Sequence, residues 1–318
     1  MDDVTDTVFR QIIADLAPPD LYFTEFVNVD GLQSVGRGKL LHKLRFTPKE
    51  QPLIAQLWGK NPENYYKTAR EIADGSLARE LGLPEGVNFA GIDLNMGCPA
   101  KSEVQNGTCS ALMLPENREL AGRIIDASRE GLGDSLPLSV KTRLGFNEID
   151  FTWHEFLLSK KLNMLTIHGR TKKQMSKVPA DWEQIGKIRE LRDQLSPSTL
   201  IVGNGDVMDR KHGEELAEQH KLDGIMIGRG MFHDPYAFSR GNPWETYTKE
   251  QRLELYRKHV ELFAQSWKNN ERKVITLNKF CKIYVNGFDG AKELREKLMV
   301  ASSTDELIKL LDGSGIAG

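Results

Sequence analysis

The chain has 318 residues, of which 28% are charged and 39% hydrophobic, and its formal net charge is −2. This length allows one large domain with a smaller one, and the near-neutral charge means that only a local basic surface could bind an anionic partner. Three cysteines without metal-ligand spacing argue against a disulfide framework or a metal site, and they indicate a reducing, cytoplasmic compartment. The acidic start MDDVTDTVFR has no apolar core, so we expect no signal peptide. We also expect no membrane helix, since no apolar run approaches the roughly 20 residues required.

Seven short apolar segments, each followed by a polar turn and a segment of helical periodicity, predict parallel β-strands. They begin at residues 21, 52, 89, 136, 164, 199 and 224. Continuous apolar strands that alternate with helices are typical of a parallel sheet covered by helices on both faces. Phe9, Ile12, Ile13 and Leu16 have helical spacing and indicate a helix before the first of these strands. We therefore predict a (β/α)8 TIM barrel whose first strand is largely missing from this chain, with a doubly wound open sheet as the alternative.

The pattern changes at about residue 243, where the apolar strands stop. Segments 245–270 and 273–311 have helical periodicity, so we predict a catalytic barrel over 1–242 and an all-helical domain over 243–318. Residues 252–297 hold 11 Lys and Arg against 6 Asp and Glu, with Trp267, Tyr284 and Phe288 interleaved. Such a run is either a solvated helix face or a nucleic-acid-binding surface.

Polar residues end the predicted strands, where barrels of this kind form their active sites. They are Glu25, Gln56, Asn95 with Cys98, Lys141 with Arg143, His168 with Arg170, Asn204 with Asp206, and Arg229. Any one of them alone is compatible with a structural role, but together they predict a polar, cation-rich mouth. From residue chemistry, Lys141 could face a cofactor ring or form a Schiff base, and Cys98 could be a nucleophile or a proton donor.

Glycines follow the last two predicted strands, in GNGD (203–206) and GRG (228–230). The loops after strands seven and eight are where such barrels hold a phosphate, because glycines let backbone N–H groups approach it. We therefore expect a phosphate-bearing cofactor here, with ordinary tight turns as the alternative. No glycine-rich dinucleotide fingerprint follows the first strands, so a nicotinamide nucleotide would have no Rossmann domain of its own.

These motifs resemble the tRNA-dihydrouridine synthase family in order and spacing. The resemblance is carried by DLNMGCPAK, NGTCSALM, VKTRLG, HGRTKKQ with ADWEQIGKI, GNGD and GIMIGRG, and it extends from MDDVTDTVFRQII with TEFV to LNKFCKIYVNGFDGAKELREKL. It implies an FMN-binding barrel, a helical domain that helps to hold tRNA, and NADPH as the reductant of the flavin. The implied reaction converts particular uridines in tRNA to 5,6-dihydrouridine, with hydride added at C6 of uracil and a proton at C5. The implied enzyme is a cytoplasmic monomer with no protein partner.

The resemblance also implies residue roles. Cys98 is the general acid that protonates C5. A thiol near its reference pKa of about 8.5 is mostly protonated at neutral pH, as a general acid must be. Asn95 would contact the uracil edge, Arg143 and Arg170 would lie near the substrate nucleotide, and Lys279 and Lys282 would contact the tRNA. The residues expected to bind the cofactor are Met1, Gln56, Lys141 and His168 on the ring side, and Asn204, Gly205, Asp206, Gly228 and Arg229 at the ribityl phosphate.

Three features depart from the family pattern. The chain begins at the methionine that normally ends the first strand, so Met1 is either an internal methionine of a longer reading frame or the start of a protein that tolerates the loss. Cys109 stands where glycine is common, and Val104 comes one place later than usual. Two other functions stay open: a flavin barrel acting on a free pyrimidine, as dihydroorotate dehydrogenase does, and an RNA-binding barrel without catalysis.

Overall fold

The structure is a computed structural model that describes residues 1–268 and 271–314. Its strands are β1 (Tyr22–Phe23), β2 (Val27–Asn28), β3 (Leu53–Trp58), β4 (Gly91–Asn95), β5 (Leu138–Arg143), β6 (Met164–His168), β7 (Leu200–Asn204) and β8 (Gly224–Met226). The helices of the strand-bearing part are α1 (Thr7–Leu16), α2 (Val29–Leu32), α3 (Pro62–Ala73), α4 (Ser76–Glu80), α5 (Lys101–Gln105), α6 (Arg118–Leu132), α7 (Phe151–Ser159), α8 (Trp182–Leu195) and α9 (Arg210–His220). They are followed by α10 (Lys249–Ser266), α11 (Ile275–Asn278), α12 (Cys281–Tyr284), α13 (Ala291–Val300) and α14 (Thr304–Asp312).

The strands form one curled parallel sheet in the order β1-β3-β4-β5-β6-β7-β8. β1 and β2 both pair with β3, at Tyr22 with Leu53 and at Val27 with Leu57, so they are two parts of one interrupted edge strand. The order follows the chain, whereas a doubly wound sheet reverses its order at one point. The seven predicted strand positions and the TIM-barrel-like architecture are therefore confirmed. Within the described residues β8 does not pair with β1, and the sheet is open at that edge.

Many of the helices begin at a residue whose side chain caps them, as in α1, α3 and α8. Asn61 accepts a hydrogen bond from the Glu63 amide and precedes Pro62, as predicted for the start of α3. α3 and α6 pack closely because Gly131 has no side chain: a Cβ there would lie 2.4 Å from the Tyr66 carbonyl oxygen.

The C-terminal helices pack on the amino-terminal helix. The predicted helix over 245–270 is shorter, since α10 begins after the Thr248 capping box and ends at Ser266, and residues 269 and 270 lie outside the described residues. Phe9 of α1 packs against Phe280 and His259, with ring centroids 4.9 and 5.9 Å apart.

The division into domains at residue 243 stays a prediction. None of the helices in the described parts of the chain has the length and apolarity needed to cross a membrane.

Candidate active site

A cavity of about 1100 Å³ lies at the carboxyl ends of the strands and extends along the open edge of the sheet to the beginnings of β7 and β8. Parallel strands present these ends on one side of the sheet, so residues far apart in the chain meet there. The lining contains Cys98, Asn95, Arg143 and every residue predicted to bind the cofactor, namely Met1, Gln56, Lys141, His168, Asn204, Gly205, Asp206, Gly228 and Arg229. Arg170, Lys279 and Lys282 do not line it.

The loop after β4 presents Cys98 to the cavity. The amides of Gly97 and Cys98 donate to the Asn95 side-chain oxygen over 3.2 and 3.0 Å, so the last residue of the strand turns the chain. The loop runs so close to β5 that a Cβ at Gly97 would lie 3.2 Å from the backbone of Thr142. The Asn95 amide nitrogen donates towards Gln56 at 3.5 Å. Asn95 therefore positions Cys98 by holding the backbone of its loop.

A second cysteine, Cys109, lies beside Cys98 in this loop, because the Ser110 amide donates to the Cys98 carbonyl over 3.3 Å. Cys109 is buried at the start of a 3-10 turn, whereas Cys98 is half-buried. A hydrogen bond from Cys109 lowers the pKa of Cys98, although burial opposes the shift. The same contact and burial raise the pKa of Cys109. The expectation of a Cys98 thiol near its ordinary pKa is therefore wrong, because its neighbour in the fold is a hydrogen-bond donor.

The Lys141 side chain extends from β5 to Asn204 at the end of β7. Its ammonium group donates to the Asn204 side-chain oxygen over 3.1 Å, and the Asn204 amide donates to the Met226 carbonyl over 2.8 Å. Burial, followed by the charge of Arg143, lowers the pKa of Lys141 to about 8. The group has three donors, and in the described residues Asn204 takes one, so Lys141 suits a polar, electron-rich ligand atom in the cavity.

His168 and Arg170 form a linked pair at the end of β6. The Arg170 guanidinium donates to His168 Nε2 over 3.0 Å, which leaves the ring proton on Nδ1. Burial, followed by the charge of Lys141, lowers the pKa of His168 far below its usual range, so the ring is neutral. Arg170 is only 3% exposed and also pairs with Asp206 and the Val178 carbonyl. Arg170 thus orients His168 from behind the cavity wall.

The glycine loops after β7 and β8 form an open, positively charged corner. Gly205 has φ +128°, and a Cβ there would lie 2.7 Å from Ala180 Cβ. Apart from its two chain neighbours, no heavy atom of the described residues lies within 4 Å of a Cβ built on Gly228, so ligand atoms have room beside it. Asp206 holds both Arg170 and Arg229, the latter over 3.3 Å. Because a carboxylate repels phosphate, Asp206 would act there by orienting Arg229, which is 61% exposed.

Arg143 ties the Cys98 loop to the loop after β6. Its guanidinium donates to the carbonyls of Gly97, Thr171 and Met175 over 2.8, 3.2 and 3.1 Å. Arg143 is only 7% exposed, but it is part of the cavity lining, so its charge acts on the cavity. Its hydrogen bonds hold the two loops together. A nucleotide near Arg143 would meet a positive field from a fixed group.

A buried acid that was not predicted from the sequence, Asp93, supports this site from below. Asp93 of β4 accepts hydrogen bonds from Gln56 and Ser139 over 2.8 and 2.6 Å, and burial raises its pKa to about 6. It orients Gln56, whose amide reaches the cavity. The available signal was an aspartate inside the otherwise apolar strand GIDLN.

The two lysines predicted to contact tRNA lie among the C-terminal helices and are not part of the cavity lining. Lys282 of α12 is exposed. Lys279 is half-buried, with its ammonium group 5.7 Å from the centre of the Phe280 ring. Burial lowers the pKa of Lys279, and Asp3 opposes the shift. Of the two, Lys282 is the more accessible cation.

Comparison with known proteins gives consistent results across the chain. The family model described as dihydrouridine synthase (Dus) matches residues 1–314. A probable tRNA-dihydrouridine synthase of Staphylococcus aureus (strain COL) is 43% identical over 320 residues, covering 98% of this chain and 90% of the relative. A probable tRNA-dihydrouridine synthase 2 of Bacillus subtilis (strain 168) is 43% identical over 316 residues, covering 98% and 91%. A solved structure of histamine dehydrogenase from Rhizobium sp. 4-9 has a TM-score of 0.52 at 13% identity, covering 80% of this chain and 46% of that one, a likeness of fold alone.

Proposed function

The chain belongs to the dihydrouridine synthase family, and we propose that it reduces specific uridines in tRNA to 5,6-dihydrouridine with a flavin bound in the cavity. The observation that carries the proposal is the Cys98 thiol, which shares one cavity with Lys141, His168 and the glycine loops after β7 and β8. Reduction of a pyrimidine double bond needs a hydride source and a proton donor side by side, and this arrangement provides places for both.

The cavity residues fit FMN as the flavin. Arg229 and the backbone beside Gly205 and Gly228 would hold the phosphate, while Lys141 and His168 would contact the ring. The support is chemical: a buried ammonium group, a neutral imidazole and an open, cationic glycine corner lie along one wall. A reduced flavin bound here supplies the hydride for C6 of uracil, and we propose NADPH as its electron source.

Cys98 would donate the proton to C5. Its loop is held by Asn95 below and by the Arg143 guanidinium behind, so the thiol keeps a fixed position at the cavity wall. Asn95 would contact the uracil edge with its amide group. Only the protonated fraction of Cys98 is a general acid, so its lowered pKa ties the reaction rate to pH.

The substrate must enter as an extruded base. A uracil stacked in folded tRNA cannot reach the bottom of a cavity, so the nucleotide is turned out of the stack. Cations on the C-terminal helices, Lys282 and Lys279 among them, would hold the surrounding phosphates. The barrel would thus bind the extruded base, and the C-terminal helices would bind the tRNA backbone.

The test replaces Cys98 with Ala and supplies tRNA that lacks dihydrouridine. Dihydrouridine formation should fall by a factor of about 10² or more, the effect of losing a general acid, while FMN binding and flavin reduction by NADPH persist. Cys281→Ala, which removes a thiol buried in α12, is the matched control and should retain the rate. A Cys98→Ala variant that reduces uridine at the unaltered rate would refute the role of Cys98.

Two further outcomes separate the other functions. Reduction of a free pyrimidine as fast as uridine in tRNA would favour the dihydroorotate dehydrogenase-like alternative. A protein that binds tRNA but contains no flavin and forms no dihydrouridine would be the RNA-binding barrel without catalysis.

A further inference from the structure

One loop brings two cysteines together. Cys98 and Cys109 lie 11 positions apart in the chain, and the Ser110 amide donates to the Cys98 carbonyl over 3.3 Å, which holds the backbone at Cys109 next to Cys98. Each thiol shifts the pKa of the other in the way expected of a hydrogen-bond partner. The third cysteine, Cys281, is buried in α12 of the C-terminal helices. The loop therefore pairs a thiol that faces the cavity with one directly behind it.

We propose that Cys98 and Cys109 form a reversible disulfide when the protein meets a hydroperoxide, so that this loop is an oxidation site. The bond itself depends only on the two thiols. Its consequence, reversible loss of dihydrouridine formation, rests on the proposed function, because the proton donor would be consumed.

The structure assigns different roles to the two sulfurs. Cys98 lines the cavity and is half-buried, so a small oxidant reaches it, and its lowered pKa raises the fraction of reactive thiolate. Cys109 is fully buried and keeps its proton, so it is protected from direct attack. Cys98 is thus the thiol attacked by peroxide, and Cys109 is the resolving thiol.

The backbone at Cys109 supports a specific use of its side chain. Its φ is +53°, in the left-handed region where glycine carries no steric cost. A cysteine in this conformation costs free energy that glycine would not. What the side chain provides in return is its hydrogen bond to Cys98.

The chemistry balances in two steps. The Cys98 thiolate attacks one peroxide oxygen, an S–O bond forms, the O–O bond breaks, and the released hydroxide takes up a proton as water. The Cys109 sulfur then attacks the Cys98 sulfur, and its proton leaves with the hydroxide of the sulfenic acid as a second water. Two thiols are oxidised and one peroxide is reduced, and a dithiol reverses the change.

The experiment treats the flavin-loaded, full-length protein with hydrogen peroxide and measures its mass and free thiols. The wild-type protein should lose two hydrogens, its three free thiols should fall to one, and peptide mapping should join Cys98 to Cys109. Dithiothreitol should restore all three. Cys281→Ala should form the same link.

Variants at the resolving position make the test decisive. Cys109→Ala and Cys109→Ser should instead gain oxygen on Cys98, and prolonged exposure should make the loss of activity irreversible by dithiothreitol. Oxygen added to Cys98 in the wild-type protein without a link, a link to Cys281, or three unchanged thiols would each overturn the proposal. If the link forms but dihydrouridine formation is unchanged, the oxidation site stands and the proposed role of Cys98 falls.

Discussion

Cys98 owes most of its acidity to Cys109. The hydrogen bond from Cys109 stabilises the thiolate, and the Ala100 amide adds to this, while burial opposes it. A general acid with a lowered pKa is deprotonated over more of the neutral range. Cys109 therefore sets the pH range in which Cys98 can give its proton.

We expect this neighbour to be visible in the pH profile of the reaction. Dihydrouridine formation should decline as pH rises through the pKa of Cys98, about 7, because the proton is lost. In Cys109→Ala the hydrogen bond is gone, the pKa rises towards about 8.5, and the decline should move to higher pH. Single-turnover rates between about pH 6 and pH 9.5, a range that brackets both values, would show it.

Cys281→Ala is the control for this measurement, and its profile should match that of the wild-type protein. At low pH, where Cys98 is protonated in both proteins, Cys109→Ala should lose far less activity than Cys98→Ala. Superimposable profiles for wild type and Cys109→Ala would contradict the role given to this hydrogen bond.

At the scale of elements, local sequence explains where most helices begin, but α9 ends against the preference of its sequence. Lys221, the residue after α9, has φ +53° and ψ +45° and is exposed. Glycine is the usual residue in this left-handed position at a helix end. A lysine there has a steric cost with no compensating burial.

Lys221→Gly should therefore stabilise the protein. Relief of the left-handed strain outweighs the extra entropy of glycine in the unfolded chain, and we expect a gain of about 0.5–1 kcal/mol in the free energy of unfolding. Urea unfolding would measure it. The matched control is Glu215→Gly, at a position inside the same helix, which should lose about 1 kcal/mol. A loss at both positions would refute the argument.

At the scale of the whole molecule, a buried ion cluster joins the barrel to the C-terminal helices. Both terminal nitrogens of the Arg272 guanidinium donate to Glu25 over 2.7 Å, and Asp3 and Asp6 lie at 3.0 and 3.6 Å. Glu25 is 0% exposed. Although burial raises the pKa of Glu25, Arg272 outweighs it and the pKa is lowered. The contribution of Glu25 is therefore present at neutral pH and lost on acidification, whereas burial raises the pKa of Asp6 to about 6 and gives that residue the opposite pH dependence.

Arg272→Met should destabilise the protein strongly, because it leaves the Glu25 carboxylate buried without its cation. Breaking a buried pair in this way costs about 3–5 kcal/mol, measurable by urea unfolding at pH 7. Arg45→Met is the matched control: its pair with Glu271 is 39% and 35% exposed, and its loss should stay below about 1 kcal/mol. Equal losses in the two variants would show that the cluster does not bind the two parts together.

The C-terminal cations should act on tRNA through phosphates. Replacing Lys279 and Lys282 together with Ala should weaken tRNA binding and lower the slope of log affinity against log salt by about one for each phosphate that is no longer bound. Lys282 should carry most of the effect, since Lys279 is half-buried beside acidic groups. FMN content should not change. Lys187→Ala, an exposed cation on α8 of the barrel, is the control, and tRNA affinity that is unaltered in the double variant would contradict the proposal.

The sequence by itself determined the strand positions, their parallel order and the side at which the polar residues meet. These properties depend on hydrophobic periodicity and on chain direction, and both can be seen in short stretches of sequence without knowledge of the tertiary structure. The residue types at the strand ends were readable for the same reason, and nearly all of the predicted site residues line the cavity.

Only the tertiary structure decided which groups face one another. The hydrogen bond between Cys109 and Cys98, the bond from Lys141 to Asn204 and the pairing of Glu25 with Arg272, 247 positions apart, depend on loop paths and side-chain directions. Arg143 and Arg170 illustrate the limit. Sequence places two cations at strand ends, but a guanidinium can donate hydrogen bonds to a phosphate, a carbonyl or a carboxylate. Which of these it binds is set by the distant segments that folding brings within hydrogen-bond distance.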